Sequence, residues 1–374
     1  MKKLIIAVLL VLMFCMMVQA EEAPIDDLLR ASGADSLSSG IDGETADNMG
    51  RLGIGKPSQS DILSISMDKF FNVLINIIKQ KSQSPLKMVF VIMGVILLCS
   101  LLKSAQNTFV LSEHDGVFDV VAILFISTTV LIPLSNTMTL VGTVIKNCTS
   151  FMALYIPVFA GVIIANGQVV TASVYTTLLM GATESVSGIC GYILIPFMSI
   201  YFALSLVGAA SPNVKISAVS DFVKRVVIAI LTAVSTVFVI LLSVQSIVSS
   251  AADTLTLKTA KFLSGSFIPF VGGAIAEAIS TLSGCMQVLK VTVGVYGIIV
   301  IALIFLPLIA ELLLWQLAMS LSQAVSELFD ISALTSLLKC AQGALKVMLA
   351  ITLICAALFI ISTTIMITVG MGTA

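Results

Sequence analysis

The sequence predicts an all-α, polytopic helical membrane protein with an internal repeat containing broken or re-entrant hairpins, preceded by a signal peptide and a small exported segment. Three observations predict it. Of 374 residues, 58% are hydrophobic and only 10% are charged, against about 25% charged in a soluble domain. The few charges are concentrated, with 16 of 39 falling between Glu21 and Pro85. Beyond Leu86 the chain runs through apolar stretches long enough to span a bilayer, which takes about 20 residues each.

The same composition excludes most other classes. A net charge of −1 gives no basic field for nucleic acid. His114 is the single histidine, which leaves histidine-based metal sites and hydrolase triads without ligands. No phosphate loop, dinucleotide loop or HExxH motif is present, so no catalytic residue, cofactor or enzymatic activity is expected. The seven cysteines show no CxxC spacing and read as small packing residues.

Each segment follows in order. Lys2 and Lys3 precede the apolar run Leu4 to Val18, and Val18-Gln19-Ala20 supplies small residues for cleavage after Ala20; residues 1–20 form a signal peptide, or an uncleaved anchor. Either way residues 21–85 are an acidic extracytoplasmic arm. Its Gly-, Ser- and Asp-rich part, Ala31 to Ser60, reads as flexible. Over 60–80, Leu63, Met67, Phe70, Phe71, Leu74, Ile77 and Ile78 recur at helical spacing. They predict an amphipathic helix that lies on the membrane, docks a partner or packs on the chain's own bundle.

Residues 86–374 form the membrane domain. Tyr155-Ile156-Pro157-Val158-Phe159-Ala160-Gly161 is echoed 112 residues later by Phe267-Ile268-Pro269-Phe270-Val271-Gly272-Gly273, and Ile195-Pro196 by Leu306-Pro307. Repeat units of about 116–210 and 222–320 result, unless the echo is a coincidence of low-complexity apolar sequence. Pro157, Gly161, Pro269, Gly272 and Gly273 mark helix breaks, each followed by a polar break, at Asn166 to Gln168 and at Ser280 to Gly284. The hairpins they begin are either re-entrant or fully spanning. Lys103, Lys215, Lys224, Arg225, Lys339 and Lys346 are assigned inside, and Lys146, Lys258 and Lys261 outside. On that topology Val291 to Leu314 crosses inward, 316–346 is cytoplasmic with an interfacial helix after Trp315, and 347–369 is the last span.

Four charges fall where lipid should exclude them. Glu184, Glu277, Lys290 and Glu311 each cost at least about 2.5 kcal/mol at a bilayer centre. They are candidates for lining a conduit or for polar packing, and Glu277 and Lys290 share one segment and are close enough in sequence to pair. The shallow alternative leaves Glu184 and Glu277 at the headgroups.

The signal peptide, the acidic arm with its amphipathic end, FIPFVGG at 267–273, CMQVLKVTVGVYG at 285–297 and the apolar tail together resemble the stage III sporulation protein AE family of endospore-forming Firmicutes. That resemblance implies a multi-pass protein of the mother-cell membrane surrounding the forespore, in a transport or secretion complex required for forespore development and late forespore sigma factor activity. The partners it implies are the other membrane and ring-forming proteins of the complex, an associated ATPase and a forespore membrane protein, besides the lipid bilayer. Two alternatives stay open from the residues themselves: a self-contained small-molecule permease, and a membrane scaffold that recruits partners.

Overall fold

A computed structural model describes Leu29 and residues 32–109, 117–210, 222–241, 243, 272–329 and 331–368. The signal segment, His114 and Pro269 lie outside them. Among the described residues the chain is helical throughout, and six helices are long and apolar enough to cross a membrane.

The arm is ordered by its own sequence. Ala34–Gly40 forms a 3-10 helix, and Asp42 then caps α1 (Gly43–Leu52): its carboxylate accepts from the Thr45 amide and from the Thr45 hydroxyl, the latter at 2.7 Å. Gly53, at φ +85°, closes the helix in the left-handed conformation that glycine adopts without penalty. Leu37, Met49, Leu52 and Ile54 are buried, which corrects the flexible reading of 31–60. Sparse but periodic apolar residues between good caps suffice to dock such a segment on a larger body.

After α2 (Gln59–Leu63), α3 runs unbroken from Met67–Phe109 through Pro85. The amphipathic stretch is thus the first half of the helix that carries the first apolar span. It cannot lie flat on a membrane while α3 stays straight. α4 (Val117–Ala165) likewise passes through Pro133 and Pro157. A left-handed Gly167 at φ +78° then reverses the chain, with its amide bonded to the Ile164 carbonyl at 2.9 Å, and α5 (Val169–Ile189) returns. The chain therefore breaks at Asn166 to Gln168, and the expected break at Pro157 and Gly161 is corrected: both sit within α4. A proline costs one backbone hydrogen bond, which an otherwise helical apolar run tolerates when neighbouring helices pack on it.

α5 continues through a π-turn, Cys190–Leu194, into α6 (Ile195–Ala210). Pro196 explains the wide turn, because its ring would clash with a regular i−4 carbonyl, and the Ile195 amide reaches back five residues to Cys190 instead. α7 covers Phe222–Leu241. α8 (Gly272–Leu328) is 57 residues long and starts at Gly272 and Gly273; it runs straight through the polar stretch 280–284, so the second expected polar break is corrected too. α9 (Ser332–Thr368) follows shortly after the turn at Phe329, and Gln316 Nε2 donates to the Leu345 carbonyl across the hairpin at 3.4 Å.

α8 is the axis. From Leu289 to Leu312, Ala302 is the only exposed residue. Glycine makes the close approaches possible: a Cβ on Gly297 would lie 2.5 Å from the Tyr155 ring, and one on Gly294 would overlap Ile367. The stacked rings Phe151, Tyr155 and Phe159 of α4 lie along this notch. Because Tyr155 meets Gly297 and Phe159 approaches Gly294, α4 and α8 run antiparallel. Hydrophobicity on every side of a helix signals burial, in lipid or in protein, and here the neighbours are protein.

Candidate functional site: the two ends of the buried helix

Two of the four candidate charges close the ends of the walled segment of α8. Lys290 and Glu311 are 21 residues apart, about 31 Å at 1.5 Å per residue. Lys290 is 1% exposed, and its ammonium donates to Oε1 of Gln168 at 3.4 Å. Gln168 is itself 5% exposed and belongs to the turn that reverses α4 into α5. The pair therefore fastens the α4–α5 reversal to the axis. Sequence reasoning found Lys290 and missed Gln168, although its place in a Gly-containing break inside an apolar region was the available signal.

At the other end Glu311 is half-buried and lies 3.6 Å from Lys81, which also holds Glu44 at 3.1 Å. One cation thus joins three elements: α1 of the arm, α3 and α8. A cavity of about 60 Å³ opens beside it, lined by Asp42, Glu44, Thr45, Thr143 and Asn147 on its polar side and by Ile304 and Leu308 on its apolar side. The contact corrects the sequence topology, which put Lys81 and Glu311 at opposite faces of the membrane. The end of an apolar run marks a membrane boundary only when lipid is what surrounds it, and around Leu289 to Leu312 it is not.

The other two candidates stand apart. Glu184 is exposed on the outer face of α5. Glu277 lies on α8, its side chain outside the described residues. The expected Glu277–Lys290 pairing is corrected by helix geometry: 13 residues of continuous helix separate them by about 20 Å, beyond the reach of both side chains. Beyond the four, three buried thiols gather where α4, α5 and α9 meet. Cys190 and Cys355 have sulfurs 3.5 Å apart, and Cys148 is close enough to Cys355 to interact with it electrostatically.

A sequence model of the family described as stage III sporulation protein AE matches residues 54–370. The chain belongs to that family. It is also 27% identical over 157 residues to Stage III sporulation protein AE of Bacillus subtilis (strain 168), a stretch that covers 42% of this chain and 39% of that protein. The chain thus aligns with about two-fifths of the curated relative's length. No solved structure matches it. Membership in the stage III sporulation protein AE family implies a role in sporulation, and the six long apolar helices among the described residues fit a membrane protein. Within the matched region lie Lys81, Gln168, Lys290 and Glu311, whereas Glu44 precedes it. The match begins at Ile54, so the arm's capped helix α1 is outside what the family model describes.

Proposed function

We propose that this chain is a membrane component of a mother cell-to-forespore transport or secretion complex, needed for forespore development and late forespore sigma factor activity, and that it has no catalytic step of its own. The observation that carries this reading is the state of the axis helix. Leu289 to Leu312 is walled by protein, and the charges at its two ends are engaged by Gln168 and Lys81. The cavity at the Lys81 end holds about 60 Å³, room for a water or two, whereas small-molecule sites occupy roughly 300–1,000 Å³. That cavity is therefore not itself a solute site. The walled axis suits a rigid body that works in an assembly and presents an exported arm to partners.

The partners in this reading are the other membrane and ring-forming proteins of the complex, an ATPase on the cytoplasmic side and a forespore membrane protein facing the arm. Crosslinking and pull-down of the full chain from sporulating cells with the two membranes apposed tests it: recovery of proteins from both membranes supports it. Purified protein that moves a small solute unaided across a liposome membrane would replace it with the permease. A quadruple variant with Glu184, Glu277 and Glu311 changed to Gln and Lys290 to Met separates conduit from scaffold. Normal assembly with normal spore development leaves only the scaffold.

A further inference from the structure

We propose that the tip of the α8–α9 hairpin, Leu313 to Lys346, dips into the bilayer from the arm side and returns, and that the more apolar segment Leu289 to Leu312 stands clear of the lipid in a protein-walled body. This rests on the chain's being a membrane protein and not on the transport reading.

The exposed apolar side chains point to it. On α8, Leu313, Leu317, Leu321 and Leu328 are all exposed, and their spacing puts them in one stripe. On α3 beyond Lys81, Leu86, Phe90, Leu97, Leu98 and Leu101 are exposed, as are Phe125 and Ile132 on α4. These residues share one half of the molecule. α4 is antiparallel to α8, and Asn147 of α4 faces Leu308 of α8 across the cavity, so 125–132 lies beyond Glu311. α3 meets α8 at Lys81–Glu311, and only seven residues of chain separate its end at Phe109 from the start of α4 at Val117, so 86–101 lies beyond Glu311 as well.

The width of this belt fits lipid. Leu86 to Leu101 and Leu313 to Leu328 each cover about 22 Å. Polar groups bracket it, with Glu44, Lys81 and Glu311 at one edge and the exposed Glu327–Lys339 pair at the other. Glu311 to Glu327 is about 24 Å along α8, against a hydrocarbon core of about 30 Å. Lys103, 22 residues or about 33 Å beyond Lys81 along α3, lies on the same side as Lys339 and past it, and the positive-inside tendency places that side in the cytoplasm.

The opposite half is mixed. Its outer helix α5 exposes Ser173, Thr177, Glu184 and Ser185 beside Val169, Val170 and Met180, and of these the exposed carboxylate is the one that is expensive against hydrocarbon. At the far edge the tip turns polar, with Ser336 and Lys339 exposed on α9 and Glu327 on α8. Polar side chains there are tolerated because they border water or headgroups. The leucine stripe thus faces lipid and the Ser336–Lys339 end of the tip reaches water at the far edge.

Tryptophan reporters in the full chain, reconstituted in vesicles of brominated-acyl phosphatidylcholine, test both halves; Trp315 is buried and serves as the baseline. Leu321→Trp is expected to lose most of its added emission to the brominated lipid. Ile361→Trp, on the walled half, is expected to be untouched by that lipid and quenched by iodide in the buffer. Ser336→Trp is expected to respond to iodide and not to lipid. Strong lipid quenching at 361, or none at 321, overturns the placement; lipid quenching at 336 overturns the aqueous edge. If a variant does not fold, electron microscopy of the unaltered chain in a nanodisc decides: a disc around the Leu317 level with the arm half protruding supports the proposal, and a disc centred near Val300 overturns it.

Discussion

The inner helices and the outer ones are built from similar apolar sequence and meet different surroundings. In α4, α8 and α9 more than half of the most apolar stretch is buried within the protein, whereas in α3, α5 and α7 it is about a quarter. The inner spans are the longer, 35–45 residues against 20–33, and mostly the more apolar, although α7, at a mean hydropathy of 2.1, exceeds α4 at 2.0. Close-packed glycines mark the inner spans further: Gly294 and Gly297 let aromatic and aliphatic side chains of neighbours reach the α8 backbone, while a Cβ on Gly94 of α3 or on Gly181 or Gly188 of α5 would meet nothing within 4 Å. Hydrophobicity decides that a segment leaves water. The placement of glycine decides where neighbouring helices come close enough to wall that segment in.

The sharpest way to break that comparison is to add one methyl group in each class. Gly297→Ala puts a Cβ 2.5 Å from the Tyr155 ring, in a wall of stacked rings that has nowhere to move, and should cost about 3 kcal/mol. Gly181→Ala adds the same atom on the exposed side of the outer helix α5 and should be neutral or stabilise by up to about 1 kcal/mol, as expected from helix propensity. Thermal unfolding in detergent, followed by the loss of helical circular dichroism, reads both. Equal effects would remove the distinction between inner and outer glycines.

Next in size is the Gln168–Lys290 contact. Gln168→Leu takes an acceptor from a buried ammonium and should cost about 2 kcal/mol, since hydrogen bonds to charged groups are the more valuable ones. Lys290→Met removes the charge itself at similar volume and should cost less, under about 1 kcal/mol. The order of the two variants in the same unfolding assay is the test, and a reversed order would mean that Lys290 is held mainly by something other than the α4–α5 turn.

How much of this was legible follows from the same physics. The all-helical membrane class was readable because composition and span-length apolar runs depend only on the chain. The turn at Asn166 to Gln168 was readable because an Asn-Gly step inside apolar sequence has few other uses. The continuity of α4 through Pro157 and of α8 through Ser280 was not, because whether a weak helix position survives depends on what packs around it. Lys290 and Glu311 stood out as charges in apolar runs. Their partners did not, because Gln168 is 122 residues from Lys290 and Lys81 is 230 from Glu311, and periodicity carries no information at that separation. The ordered arm was missed although Asp42, Thr45 and Gly53 spelled out both ends of α1.

A smaller effect is expected where the arm meets the axis. Lys81 is about four-fifths shielded, as is Glu311, while Glu44 is more open. Lys81→Met should therefore cost only about 1 kcal/mol of global stability, in the upper range for partly exposed pairs. Its local consequence is larger, because one cation holds both carboxylates. Tryptic cleavage after Arg51 and Lys56 should accelerate in the variant, and in the unaltered chain it should accelerate with added salt, which screens the same contacts. Unchanged cleavage would mean that Leu37, Met49 and Leu52 alone hold the arm.

The smallest effect separates a solvated ion pair from an embedded one. Glu327 and Lys339 approach to 3.3 Å at the hairpin tip, with about half of each side chain exposed. In water such a pair contributes little, because screening and side-chain entropy offset the attraction, so Lys339→Ala should change stability by less than about 0.5 kcal/mol. In hydrocarbon the same substitution would strand a carboxylate, at a cost of about 3 kcal/mol or more. Unfolding of the variant in lipid and in detergent distinguishes the two. A small cost in both places the far edge of the tip in water or headgroups. A large cost confined to lipid would place the pair within the bilayer and move the belt's boundary past residue 327.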